Sequence, residues 1–227
     1  MKFKLWLENN TNKLMISQLF ERGINRNDTS ILGFHGTSLI TIQKALQTGL
    51  LPVTTGSAES SAGTHRSAKK AYGDDLSGYG FHIVPNPKNK IIQQINFTKP
   101  LLQDAYEEGL KWAKFNANRY SFFDKYNMNL SDPLHHKISQ EFMWKSKTEK
   151  EIQKQYELDQ PKKEFVNSGV LLAISETAAH DFKIFPGGDG DDLNIATKNL
   201  PIKYISGIEP ADDHAFDWFE SLTENGL

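Results

Sequence analysis

An apolar run, Ile31, Leu32 and Phe34, leads through His35-Gly36-Thr37-Ser38 into Leu39, Ile42 and Leu46 at helical spacing. This passage predicts a buried strand over Ser30–Phe34 and a helix capped by Thr37 or Ser38. Gly49 stops that helix, and Pro52 confirms the break. It also sets one imidazole at a strand end, beside a glycine whose backbone a ligand can approach closely.

The rest of the chain extends that pattern in blocks. Residues 12–24 suit an amphipathic helix, with Leu14, Ile16, Leu19 and Phe20 apolar and Gly23 as its end. Asn25 to Ser30 reads as a loop, and residues 53–65 have the small, polar composition of another. Arg66–Tyr72 looks helical. Gly80–Val84 and Ile91–Phe97 read as strands around the turn Pro85-Asn86-Pro87. Residues 101–160 are aromatic, charged and helix-rich, with one stripe at Leu102, Tyr106, Leu110 and Ala113. A second stripe falls at Ile138, Phe142, Ile152 and Tyr156. Strand patterns return at Val170–Ile174, Phe182–Phe185, Leu193–Thr197 and Tyr204–Ile208, and a helix with Phe216, Trp218, Phe219 and Leu222 closes the chain. Elements of one type come in runs, which predicts an α+β fold and not a doubly wound parallel sheet.

Composition removes several classes of function. At 227 residues the chain fits one domain, or one domain with a sizeable insertion. Its 26 basic and 28 acidic side chains leave a net charge of −2, too little positive field to drive binding to phosphate backbones. The absence of cysteine excludes disulfides, thiolate metal sites and cysteine nucleophiles. No stretch approaches the ~20 apolar residues of a membrane span, and Met1 to Asn9 carries no signal-peptide core, so a cytoplasmic protein is expected.

Three segments are candidates for chemistry. In the first, His35 can bond a sugar hydroxyl, and the backbone of Gly36 can face a planar amide. In the second, Ser60 and Ser61 suit a strand edge against a ligand, and Tyr72 can stack on a heteroaromatic ring. In the third, the acidic glycine turn from Pro186 to Asp192 runs into Leu193-Asn194-Ile195, where a carboxylate can stabilise positive charge in a loose transition state. Read alone, each has an ordinary structural explanation: a helix cap with a core histidine, a loop with a core tyrosine, a solvated turn. The adjacent pair His135-His136 and the scattered His65 and His82 lack ligand spacing, and no metal site is expected.

Taken together, these segments resemble the ADP-ribosyltransferase superfamily, in its His-Gly-Thr, poly(ADP-ribose) polymerase-like branch. The likeness covers about residues 30–97 and 168–210. It implies a split two-sheet core; the helical insertion at about 101–160 and the N-terminal helix at about 12–24 come from composition and periodicity, and the likeness does not explain the insertion. It also implies NAD as substrate. By resemblance His35 binds the NAD ribose, and Gly36, with Thr37 beside it, holds the nicotinamide carboxamide. Tyr72 takes the stacking position, and Ser61, eleven residues earlier, stands where that branch has a tyrosine. Ser60-Ser61 is closer to the Ser-Thr-Ser strand of the arginine-specific toxins. The third motif departs from the family. Its catalytic glutamate would fall near Asn194, with Asp192 two residues before, ahead of a final strand resembling Tyr204–Ile208. The implied reaction is transfer of ADP-ribose to an unidentified acceptor with release of nicotinamide. Near-neutral charge favours a protein acceptor over nucleic acid. The alternatives are an NAD glycohydrolase, which transfers to water, and an inactive binding module.

Overall fold

The computed structural model describes residues 2–52, 81–126, 128, 132–144, 147–158, 168–187, 190–197 and 199–224. Its strands are β1 (Ile31–Ser38), β2 (Leu50–Pro52), β3 (Phe81–Pro85), β4 (Gly169–Ser175), β5 (Ile184–Pro186), β6 (Leu193–Ile195), β7 (Asn199–Pro201) and β8 (Ile205–Pro210). A six-stranded sheet runs β5-β6-β3-β1-β4-β8, and β2 pairs with β7 in a separate ribbon. Every strand pairing among the described residues is antiparallel, so the chain is an α+β protein. Among the described residues no helix is long and apolar enough to cross a membrane.

Period-2 alternation gives the large sheet two apolar faces. On β4, Val170, Leu172 and Ile174 belong to the main core, while Leu171 and Ala173 belong to a second cluster. The main core is closed by α1 (Lys2–Arg22), α2 (Leu39–Thr48) and the C-terminal helix Asp213–Glu224, through Ile16, Leu19, Ile42 and Phe219 among others. After a short α3 (Lys90–Gln93), the long α4 (Ala105–Lys125) covers the other face with Ala105, Tyr106, Leu110 and Trp112. The segment expected as an insertion therefore begins as a layer of the fold. Its later part, α5 (Pro133–Trp144) and α6 (Glu149–Tyr156), packs a satellite core of Phe122, Ile138 and Ile152. Phe122 and Phe142 stack there with ring centroids 4.2 Å apart.

Contact between α4 and β1 is unusually close because Gly36 has no side chain. A Cβ on Gly36 would lie 2.2 Å from the Ala113 nitrogen and 2.5 Å from the Gly109 carbonyl oxygen. Gly109 answers from the helix side, where a Cβ would meet that of Phe34 at 2.8 Å. Elsewhere the punctuation acts as expected. Gly49 ends α2 in the left-handed region, at φ 69°, and its N–H donates to the Ala45 carbonyl.

Two expectations are corrected. The first strand does not stop at Phe34 but continues to Ser38, because β4 offers it a partner at every step, from Phe34 opposite Ala173 to Ser38 opposite Gly169. The strand expected at Ile91–Phe97 is instead the short helix α3 followed by loop. Asn89 decides this. It is fully buried, its side-chain oxygen accepts from the Ile91 and Ile92 N–H groups, and its amide donates to the Thr29 carbonyl and the Glu176 carboxylate. The segment 53–65, Ser61 included, and the helix expected at Arg66–Tyr72 lie outside the described residues.

The packing makes a direct prediction for Gly36. Gly36→Ala must push α4 off the sheet, and chemical denaturation should show a loss of about 2 kcal/mol or more. An unchanged midpoint would mean that the helix yields without cost.

Candidate functional site

The sheet forks between β1 and β3. These strands pair only at Gly33 with Pro85 and Phe34 with Val84. Beyond that point β1 stays with β4, while β3 turns to β6 through Phe81 with Ile195, His82 with Asn194 and Ile83 with Leu193. His35 is the first residue past the split. Its Nδ1–H donates to the His82 carbonyl at 2.7 Å, closing part of the gap that the ladder leaves open. A carbonyl only accepts, so the proton of the neutral ring sits on Nδ1 and Nε2 is left as an acceptor. The ring packs on Phe81 with centroids 4.2 Å apart. Burial drives the imidazole pKa down to about 4, against the smaller opposing pull of the bond to the His82 carbonyl. His35 is therefore neutral at pH 7.

The neighbouring side chains point the other way. Phe81 belongs to the main core, and His82, next along β3, turns toward α4, where its ring lies 6.1 Å from that of Trp112. His82 Nε2–H donates to the Asp192 carboxylate at 2.8 Å. Asp192 is seated over Gly187, where a Cβ would fall 1.9 Å from Oδ1, and the Gly187 N–H donates to the Asp192 carbonyl at 2.9 Å. Asn194 lies opposite His82 in the ladder and is 3% exposed. Among the described residues, Asn194 Nδ2 and Asp192 Oδ1 are buried without a hydrogen-bond partner.

Of the residues singled out from sequence, Asp192 and Asn194 come together on one face. His35 lies at the fork on the Phe81 side. The two sets are joined through His82, whose carbonyl meets His35 and whose ring meets Asp192. The open backbone expected at Gly36 is taken up within the protein: α4 covers its Cα, and its carbonyl accepts the Asn116 side-chain amide at 2.8 Å. Thr37 is buried opposite Val170. Ser38 caps α2 by position, but its hydroxyl meets the Thr41 hydroxyl at 3.1 Å and no helix N–H. Ser61 and Tyr72 lie outside the described residues.

Metal-ligand spacing does not single out His82, because its partners are a backbone-linked histidine and a carboxylate and not a metal ligand set. A better signal is present. His82 and Asn194 are each a single polar residue between apolar neighbours, Phe81-His82-Ile83 and Leu193-Asn194-Ile195, and His35 follows the apolar run from Ile31 to Phe34. Comparison with protein-family models, curated proteins and solved structures gives no match.

The depressed His35 pKa carries a stability consequence. Between pH 6.5 and about 4 the unfolded chain holds a proton on this residue that the folded chain does not. Stability therefore falls as the pH drops through that window, by roughly 3 kcal/mol at most from this residue. His35→Asn keeps a donor for the His82 carbonyl but does not titrate. Urea midpoints measured across the window should fall less steeply in the variant than in the wild type, and parallel curves would refute the assignment.

Proposed function

We propose that this chain is an NAD-dependent ADP-ribosyltransferase of the His-Gly-Thr type, built on a split two-sheet core. The observation that carries the reading is the state of His35. A neutral imidazole, held through Nδ1 at the fork of a sheet, offers Nε2 to a ribose hydroxyl without competing charge. The order of late elements agrees with the resemblance, since the strand bearing Asn194 precedes an apolar final strand, Ile205–Pro210. In the proposed reaction the bond between nicotinamide and ribose loosens first. Its electron pair leaves with nicotinamide, and an acceptor attacks the resulting cation. Holding the ribose by His35 fixes the orientation of that bond. Asp192 is the carboxylate available to the third motif, and its charge would stabilise the cation.

One observation favours a second reading, an ADP-ribosyltransferase-like module that binds NAD without turning it over. Asp192 is bonded to His82 and stands on the face opposite the Phe81 side. Gly36 likewise has its carbonyl engaged by Asn116.

Calorimetric titration with NAD, alongside a nicotinamide-release assay, separates these outcomes. The wild type should bind NAD, and His35→Ala should weaken binding about tenfold or more through loss of the hydroxyl partner. Release of nicotinamide that falls in Asp192→Asn supports the transferase. Binding without release supports the module, and nicotinamide release without a labelled macromolecule marks a glycohydrolase. Absence of NAD binding at millimolar concentrations overturns all three.

A further inference from the structure

The His35 site uses only the carbonyl of His82, and the ring of that residue lies on the other face of the sheet, toward α4. That ring meets three conditions for a general base. First, it is fixed. Nε2–H donates to Asp192 Oδ2 at 2.8 Å, and Asp192 is itself set by its fit over Gly187 and by the Gly187 N–H bonded to its carbonyl. A carboxylate only accepts, so the proton of the neutral ring sits on Nε2 and Nδ1 carries the lone pair. Second, it is reachable, with the His82 side chain 33% exposed and Asp192 behind it at 17%. Third, Asp192 Oδ1 is buried without a hydrogen-bond partner, so the carboxylate charge faces the ring alone. An imidazolium formed at His82 would be held by that charge. A hydrogen-bond donor stands beside this base. Asn194 is the ladder partner of His82, so the two side chains project from one face with Cβ atoms about 5 Å apart. Asn194 is 3% exposed, and its Nδ2 has no partner.

We infer that this face is a hydrolytic site for carboxylic esters with an apolar acyl group. His82 Nδ1 takes a proton from a water molecule as the water oxygen bonds to the ester carbonyl carbon. The carbonyl π electrons move onto oxygen, and Asn194 Nδ2–H donates to the oxyanion that results. When the oxyanion collapses, the bond from carbon to the alcohol oxygen breaks, and the leaving alkoxide takes the proton back from His82. Acid and alcohol depart, and the ring is neutral again. Asp192 is the positioning residue: it holds the ring and keeps its proton on Nε2. Trp112, edge-on to His82 at 6.1 Å, and Phe115, perpendicular to Trp112 at 5.3 Å, form the apolar wall for the acyl chain. The reaction involves no NAD, and the site stands whichever ligand His35 takes.

Release of p-nitrophenol from p-nitrophenyl butyrate, measured without NAD, tests it. The wild type should hydrolyse the ester at a rate that saturates with substrate. His82→Gln keeps a donor for Asp192 but supplies no base, and it should lower kcat about 100-fold. Added imidazole should restore part of the rate in His82→Ala. Asn194→Leu, of nearly equal volume, should lower kcat about 100-fold at little-changed KM, because the oxyanion exists only after attack. Asp192→Asn should likewise lower kcat and leave KM in place. A wild-type rate no higher than that of His82→Gln, a loss in Asn194→Leu that falls on KM alone, or no rescue of His82→Ala by imidazole would each overturn the proposal. Absence of saturable hydrolysis by the wild type overturns it even where a variant fails to fold.

Discussion

The sheet of this protein stops being continuous at one point, and much of the architecture follows from how that point is closed. Past Phe34, β1 and β3 share no ladder pairing, so backbone groups on the inner edges of two diverging strands need partners elsewhere. His35 supplies one from a side chain by donating Nδ1–H to the His82 carbonyl. Desolvation keeps the ring neutral, and neutrality in turn sets which nitrogen can meet a ligand. A charged imidazole at this place would pack poorly against Phe81 and the core behind it. The tautomer, the fork and the low pKa are one arrangement seen from three sides.

On the opposite face a different requirement dominates, the approach of α4. Gly36 on β1 and Gly109 on the helix remove side chains where backbone and strand meet, and Asn116 then satisfies the Gly36 carbonyl. The same helix brings Trp112 beside His82. Glycine in a His-Gly-Thr run thus has a packing explanation that does not involve a ligand. That explanation bears on function: the features of the motif divide between the two faces of the sheet, with the imidazole on one and the glycine contact on the other.

Much of the fold was legible in the sequence. The α+β class, the stop at Gly49, the helical character of 101–160 and most strand centres follow from periodicity and from breaker residues acting locally. The failures have a common cause. The extension of β1 to Ser38 depends on β4, which lies far along the chain, and the helix at Lys90–Gln93 depends on Asn89 bonding to Thr29 and Glu176. Neither influence is visible in a local window. For the candidate site, His35, Asp192 and Asn194 are legible as residue types in suggestive places, while their link through His82 depends on strand register.

What the sequence determined by itself was the set of isolated polar residues in apolar strands, because a histidine or asparagine among Phe, Ile and Leu is conspicuous in one dimension. Only the tertiary structure decided which of them meet. Strand register puts His82 opposite Asn194 and sends its ring toward Asp192, while a single step along β3 sends Phe81 toward His35. Adjacent residues of a strand face opposite ways, so one step along β3 separates the contact with His35 from the contact with Asp192.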